Sequence, residues 1–392
     1  MKPVIYLDNN STTPIAAEVI EVMTDCYQQG FVNPASQHRP GQIARARLED
    51  DREKIAGYLG AVTQGMETDS LVFTSGGTES NNLAMRGLVA GFTNGKETPG
   101  TVVVSAIEHP SVLGTADYLK TLGFKVRTVP VTSDGVLNVT EFLRLIEEEG
   151  DIRLACLMLA NNETGAVQPV NEFAGICRQH GIATHCDAVQ GVGKINVDFR
   201  ELGVDSISFT AHKFHGPRGI GGLLIRHGTI IDPILFGGFQ QMAVRPGTED
   251  VALVAGMAEA LRLFKATSVE SMNRIESLRN ELQINIVDQI PDTVVNSGMA
   301  PRVPHTLNLS FPGIDRQAIL LAADLAGLAV STGSACASGS SEPSHVITAM
   351  TSDPAIIEGS IRISLGRQTT QQEIEESVSR IINICNSLGR QK

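Results

Sequence analysis

Short apolar runs alternate with helix-like stretches through the first two thirds of the chain. The runs at 71–74, 101–105 and 125–129 predict strands, and the intervening 79–89 and 112–122 stretches predict helices. A helix over 139–149 follows, then strand-like runs at 154–159, 183–186, 206–209 and 222–225. Continuous apolar runs of this length, separated by helices, fit a mostly parallel sheet buried on both faces. That is an α/β layer architecture. Beyond Leu253 the texture changes. Long helical patterns at 254–265 and 270–289 lead to strands near 306–310 and 360–364, and a last helix spans about 371–388. Thr370 and Glu373 are spaced as a capping box for that helix. This part reads as a smaller α+β domain. No repeat, low-complexity tract or linker interrupts the chain.

The 392 residues suit about two domains at roughly 150 residues each. A net charge of -12, with no basic run, speaks against nucleic acid as a partner, because a binder needs a cationic face to displace counterions. The apolar run from Ala318 is broken at Asp324, well short of the roughly 20 residues a membrane helix needs. The amino terminus turns polar at Asp8, too early for a signal peptide, so the expected compartment is the cytoplasm. The six cysteines include no C-x-x-C, and no Cys/His group has zinc-ligand spacing, so no metal site is expected. Cys156 and Cys186 sit in strand-like runs and read as small buried hydrophobes. Cys336 differs. It stands in Ser334-Ala-Cys336-Ala-Ser-Gly-Ser, the profile of an exposed loop where a thiol is chemically available.

Three further motifs carry chemistry. Ser75-Gly-Gly77-Thr78-Glu-Ser-Asn81-Asn82 follows a predicted strand and opens a helix. Backbone N–H groups there can hold an anion, though the same residues read equally well as an ordinary turn with Thr78 as N-cap. Neither a Walker A loop nor a dinucleotide fingerprint is present. Asp187 ends an apolar strand, where sheet ligands sit, and can keep a ring nitrogen protonated; alone it could equally be a loop carboxylate. Lys213, in Ala211-His-Lys-Phe-His215, follows another strand. A lysine in such a setting can form a Schiff base, whereas a surface lysine at a strand end is the plainer reading. An anion cradle, a carboxylate for a pyridinium and an imine lysine together fit pyridoxal phosphate.

The order Thr78, Asp187, Lys213 resembles fold-type I pyridoxal-phosphate enzymes. With Tyr6-Leu-Asp-Asn-Asn10, Asn33-Pro-Ala-Ser36, Glu108-His-Pro110, Asn161-Asn-Glu-Thr-Gly165, Arg245-Pro-Gly-Thr-Glu249 and Ile361-Arg-Ile-Ser-Leu-Gly-Arg367, the chain is similar to class-V aminotransferase-like enzymes, and within them to cysteine desulfurases of the NifS/IscS type. The resemblance implies a large cofactor domain over 15–255 with a mostly parallel seven-stranded-type sheet. It implies a small α+β domain made of 1–14 and 256–392, carrying the cysteine loop.

By the same resemblance, Lys213 would be the imine lysine and proton shuttle, Asp187 would pair with the pyridine nitrogen, and His109 would stack on the ring. Asn162 and Gln190 would address the ring hydroxyl and its surroundings, Asn162 also lying beside the substrate. Gly77, Thr78, Thr210 and His212 would hold the phosphate. Thr248 would reach the phosphate of a second subunit, implying a homodimer, and Arg362 would grip the substrate carboxylate. Cys336 would take sulfur from L-cysteine as a persulfide, releasing L-alanine, and pass it to a sulfur-acceptor protein such as an iron–sulfur scaffold or a sulfur carrier. His109 and His345 stand as candidate bases for the thiol. A cysteine or cystine C–S lyase, or a selenocysteine lyase, is the alternative, and the loop cysteine argues against it. Two departures are visible: Gly76-Gly77-Thr78 replaces the usual Gly-Ala-Thr, and Lys392 comes soon after the last helix, where scaffold-docking members often carry a longer tail.

Overall fold

The computed structural model describes residues 3–91, 99–333 and 342–389. The central sheet holds β1 (Ser70–Thr74), β2 (Thr101–Ser105), β3 (Lys125–Val129), β4 (Ile152–Cys156), β5 (Ala183–Asp187), β6 (Ser206–Thr210) and β7 (Gly221–Ile225). Their spatial order is β1-β7-β6-β5-β4-β2-β3. β7 runs antiparallel to both β1 and β6, and the remaining pairings are parallel. The carboxyl ends of β1 to β6 therefore share one edge of the sheet, the edge where parallel sheets bind ligands.

Successive side chains on these strands enter opposite cores, as the two-residue strand period requires. Leu71, Phe73, Val103, Ala155, Ile207 and Phe209 join one cluster, while Val72, Val102, Val104, Leu154 and Cys156 join the other. Burial on both faces explains why β1, β2 and β7 read as unbroken apolar runs. Gly222 answers to the same packing: a Cβ there would lie 2.3 Å from Cζ of Phe209.

The carboxyl-terminal part has its own antiparallel sheet, in which Thr306–Ser310 pairs with Ser360–Ser364 on one side and with Val294–Val295 on the other. Ile5, Leu7, Leu307, Leu309, Ile361 and Ile363 share its core with Ile374, Val378 and Ile381 of the last helix, Gln371–Gly389. The capping box forms: Thr370 N–H donates to Glu373 Oε2 at 2.8 Å and Glu373 N–H to Thr370 Oγ1 at 3.3 Å.

The two helices expected at 254–265 and 270–289 are one, Val251–Gln289, of 39 residues. The joining residues 266–269, Ala-Thr-Ser-Val, contain no Gly or Pro to break it. Its first half packs in the large core through Val254, Met257 and Leu261, and its second in the small one through Ile275, Leu278 and Leu282. Two further helices, Ala17–Gln28 and Arg39–Tyr58, pack along it. Among the described residues no helix is long and apolar enough to cross a membrane.

Candidate active site

A cavity of about 300 Å³ opens at the carboxyl edge of the sheet. Gly77 and Thr78 after β1, His109 after β2, Asn162 after β4, Asp187 at the end of β5 and Thr210, His212 and Lys213 at the end of β6 all line it. Gln190 and Arg362 complete the wall. Every one of these had been marked by sequence, and the topology brings them together.

The Gly-Gly turn is set by close packing. The helix Gly77–Gly91 starts at its second glycine, and a Cβ on Gly77 would lie 2.8 Å from Cγ2 of Val189. Gly221 on the adjacent strand lies so near that a Cβ would sit 2.6 Å from the carbonyl carbon of Gly76. The turn is thus pressed flat against β7 and the 188–190 loop. The first N–H groups of a helix have no intrahelical acceptor, so this one presents donors to the cavity.

Asp187 is buried and held on both oxygens. Val189 N–H donates to Oδ1 at 3.0 Å and Asn81 Nδ2 to Oδ2 at 2.7 Å. Asn81 is oriented in turn: its Oδ1 accepts from Ser208 Oγ at 2.5 Å and lies 3.0 Å from Nε2 of His185. Burial pushes His185 down to about 4, so the ring is neutral near pH 7 and can donate that bond. His109 caps the helix Pro110–Thr121. Ser111 N–H donates to its Nδ1 at 3.1 Å, which leaves the proton of the neutral ring on Nε2. Burial lowers the pKa of His109, Lys213 and His345 lower it further, and Asp187 opposes them.

The opposite wall comes from the chain's start and from the small sheet. Lys213 Nζ donates to the carbonyls of Asn10 and Ser11 at 2.6 and 2.7 Å. Gln190 Nε2 donates to the same Asn10 carbonyl at 3.0 Å. The Asn10 side chain donates to Thr306 Oγ1 at 2.9 Å and to the Asn162 carbonyl at 3.1 Å. Arg362, on the strand Ser360–Ser364, is buried. Its Nη1 donates to the Asn162 carbonyl at 3.0 Å and its Nη2 to Asp8 Oδ1 at 2.7 Å, while its Nε has no hydrogen-bond partner among the described atoms. A buried guanidinium with an unpaired N–H beside a cavity is suited to an incoming carboxylate.

Behind Lys213 lies a second lysine that the sequence reading had passed over. Lys194 is fully buried and donates to Gln190 Oε1 and, at 3.3 Å, to Asn10 Oδ1. Burial, with the charges of Lys213 and Arg362, holds its pKa well below the usual lysine range. His212 is pushed down to about 4 by burial and then by Lys213, Lys194 and Arg218. The cavity is therefore rich in N–H donors, and Asp187 is a carboxylate among its lining side chains. The donor set fits an anionic, ring-bearing cofactor with an electrophilic carbonyl: a helix terminus for phosphate, a carboxylate for a ring nitrogen and an amine for an imine.

Two described residues marked by sequence, Thr248 and His345, do not line this cavity. Thr248 stands exposed on a loop anchored on either side, by Arg245 to Glu79 at 2.7 Å and by Glu249 to Arg52 at 2.5 Å. Cys336 lies outside the described residues. Asn10, Asn81 and Lys194 were not assigned roles by sequence. Asn10 and Asn81 did lie inside the marked motifs, and the burial of Lys194 four residues after Gln190 has no local signature.

The family model described as aminotransferase class-V matches residues 5–376. The chain is 39% identical to the cysteine desulfurase IscS of Dictyoglomus turgidum, over 99% of this chain and 96% of that one. A solved NifS-like protein is 35% identical, with a TM-score of 0.89, covering 98% of this chain and 100% of its own. A structure described as SspA in complex with cysteine is 30% identical, with a TM-score of 0.78, covering 93% of this chain and 99% of its own. Such enzymes work with pyridoxal phosphate. The chain belongs to the class-V aminotransferase family, among the cysteine desulfurases of the NifS/IscS type.

Proposed function

We propose that this desulfurase takes sulfur from L-cysteine, leaves L-alanine, and stores the sulfur as a persulfide on Cys336. The observation that carries the reading is the convergence of Lys213, Asp187 and the Gly77 helix terminus on one cavity. Gly77, Thr78, Thr210 and His212 would hold the phosphate of pyridoxal phosphate, Asp187 its ring nitrogen, Lys213 its carbonyl carbon, and Asn162 and Gln190 its hydroxyl side. When bound, that group supplies an electron sink for the substrate Cα.

The chain's own residues do the rest. Asp187, kept in place by Asn81 and Val189, holds a proton on the ring nitrogen. Arg362 binds the substrate carboxylate with its unpaired Nε, beside Asn162. Lys213 takes the Cα proton and later returns one, and its amine is steered by the Asn10 and Ser11 carbonyls. His109 would cover the ring face; to serve as the candidate base for the thiol it would first have to release Nδ1 from Ser111 N–H, because the proton of its neutral ring is on Nε2. The Cys336 thiolate attacks the substrate sulfur: an S–S bond forms, the Cβ–S bond breaks, and Cβ is protonated to the methyl group of alanine. A protein thiol then accepts the sulfur, the acceptor being an iron–sulfur scaffold or a sulfur carrier.

We place the enzyme in the cytoplasm as a homodimer. Cys26, Cys156, Cys177, Cys186 and Cys385 are free, buried thiols, in keeping with a reducing compartment. Near Thr248 the chain exposes Phe236, Phe239 and Met242, a surface that a second subunit would cover while receiving Thr248 at its own phosphate site. The division into a large domain at 15–255 and a small one at 1–14 with 256–392 belongs to the same proposal. The separate core holding Ile5, Leu7 and the second half of the long helix supports it, while Met257 and Leu261, just past residue 255, still pack in the large core.

The test is intact mass spectrometry after brief exposure to cysteine. Wild type should gain one sulfur on Cys336. Cys336→Ser should gain none and should lose alanine production while still responding spectrally to cysteine. Sulfur found on Cys26 or Cys385 instead, or normal alanine output from the serine variant, would overturn the reading.

A further inference from the structure

Glu163 follows the cavity residue Asn162, yet it is not itself among the lining residues and is buried, packed behind the lining residue Gly333. Its Oε2 accepts a 2.5 Å hydrogen bond from Ser344 Oγ. The same oxygen packs directly on Gly333, where an added Cβ would lie 2.2 Å away and where φ is +85°. No residue but glycine suits both the conformation and the contact. Gly333 and Ser344 are the chain positions that lead into and out of the segment bearing Cys336. One buried carboxylate thus touches both stems.

The stems are tied to the active-site wall as well. Ser331 and Arg362 exchange backbone hydrogen bonds of 3.1 and 2.6 Å, and His345 Nε2 lies 2.9 Å from the Glu108 carbonyl. Glu163 is itself fixed: its N–H donates to Asn161 Oδ1 at 2.8 Å and its carbonyl accepts from Asn308 Nδ2 at 3.3 Å. Helix capping does not account for it. Ser344 already caps the helix His345–Met350 by accepting from Ile347 N–H at 3.2 Å, and its hydroxyl proton is what reaches Glu163. Burying a carboxyl group is costly unless it is bonded, so its placement between two stems calls for a reason. Burial raises its pKa, against the pull of Ser344, His345 and Arg362.

We propose that Glu163 is a positioning residue for sulfur transfer: it fixes the spacing of the Gly333 and Ser344 stems, and so the delivery of the Cys336 thiol to the substrate sulfur, without contributing to cysteine binding. The proposal rests on Cys336 being the sulfur acceptor, and it concerns the stems alone.

The experiment uses the holoenzyme and two readouts: the cysteine concentration that half-saturates the cofactor's absorbance change, and the rate at which Cys336 gains one sulfur in a quenched single turnover, followed by mass. Glu163→Ala and Ser344→Ala should slow sulfur gain about tenfold or more, the scale of one lost buried hydrogen bond, with half-saturation within about twofold of wild type. Glu163→Gln keeps an oxygen that can accept from Ser344 and should recover most of the rate. Should Glu163→Ala not fold, Ser344→Ala, which removes one hydroxyl, decides the matter alone. Sulfur gain at the wild-type rate in Ser344→Ala, or a parallel loss of cysteine binding in the variants, overturns the proposal. If wild type itself gains no sulfur on Cys336, the desulfurase mechanism fails instead, and the control separates the two.

Discussion

The two walls of the cavity are built on different principles. The first is the carboxyl edge of the large sheet, where each polar group comes within a few residues of the strand that aims it: Asp187 at the end of β5, Lys213 just past β6, Gly77 just past β1. The second is the seam between the chain's start and the small sheet. There Asn10 bonds Asn162 and Thr306 across 152 and 296 residues of sequence, and Arg362 pairs with Asp8 across 354. The edge supplies the groups proposed to make and break bonds. The seam supplies the groups proposed to grip and orient the substrate. Chemistry placed on strand ends needs only the sheet, whereas orientation placed on the seam needs both cores formed and docked.

Lys213→Ala tests the edge most severely. The proposed imine and the proton shuttle are lost together, so we expect turnover to vanish while circular dichroism and the melting profile persist, because the residue lies at a strand end outside both cores. Measurable alanine production by this variant would move the chemistry off the edge and leave the comparison without its first term.

The contrast also explains what could be read from sequence. Strands buried on both faces leave unbroken apolar runs, and β2 falls at 101–105 as read. A residue just after such a run is on the binding edge by topology alone, which is why Asp187 and Lys213 were legible. The seam leaves no local mark. Lys194 looks like a surface lysine after a glycine, and only tertiary packing buries it beside Gln190. The helix Arg39–Tyr58 was missed for a related reason: it is largely charged and buries only a thin stripe including Ala44, Leu48 and Ile55.

A second expected effect sharpens the electrostatics of the edge. Glu108, next to His109, is fully buried, and burial lifts its pKa to about 8 against the hydrogen bonds from Ser105 Oγ and Met158 N–H. Its Oε2 has no partner among the described atoms. The folded protein thus holds a proton that the unfolded chain releases above its ordinary pKa of 4.5. This group's stabilisation is full below 4.5 and is lost as pH rises through about 8. Glu108→Gln mimics the protonated acid, so denaturant titrations from pH 5 to 8.5 should show wild type losing several kcal/mol, in order of magnitude, relative to the variant. His185 and His212, both pushed down to about 4, act at the other limb, where stability falls as pH drops from 6.5 toward 4. Parallel pH profiles for wild type and Glu108→Gln would show that the carboxyl group is ionised in the fold.

Arg362→Lys probes the seam. Lysine keeps the charge but cannot reproduce a planar fork that already serves Asp8 and Asn162 while offering Nε. Charge-assisted hydrogen bonds contribute about 1.5–3 kcal/mol, so the half-saturating cysteine concentration should rise roughly 10- to 100-fold, with a smaller change in kcat. A fall in kcat at unchanged half-saturation would place Arg362 among the groups that act on bonds and erase the division of labour.

Thr370→Ala is the smallest perturbation and the sharpest control, because it weakens the small domain without touching the seam. Thr370 is exposed and starts the helix Gln371–Gly389, its hydroxyl accepting from Glu373 N–H at 3.3 Å while Glu373 Oε2 takes the Thr370 N–H at 2.8 Å. That helix covers the small core through Ile374, Val378 and Ile381, so a frayed first turn lowers the stability of the whole small domain. The loss of an N-cap costs about 1 kcal/mol. The denaturant midpoint should fall by that equivalent, and Thr370→Ser, which restores the oxygen, should recover it. Arg274 ties the preceding loop independently, donating to the Thr369 carbonyl at 2.8 Å and to the Arg367 carbonyl at 2.6 Å, so the loop that leads away from the Arg362 strand stays in place. Steady-state constants should therefore hold within about twofold of wild type, since folded molecules still dominate after a loss of this size. If the constants instead fall in step with stability, the seam is only as rigid as the small domain is stable, and orientation in this enzyme is set by the folding equilibrium of the small domain and not by the hydrogen bonds at Asn10 and Arg362.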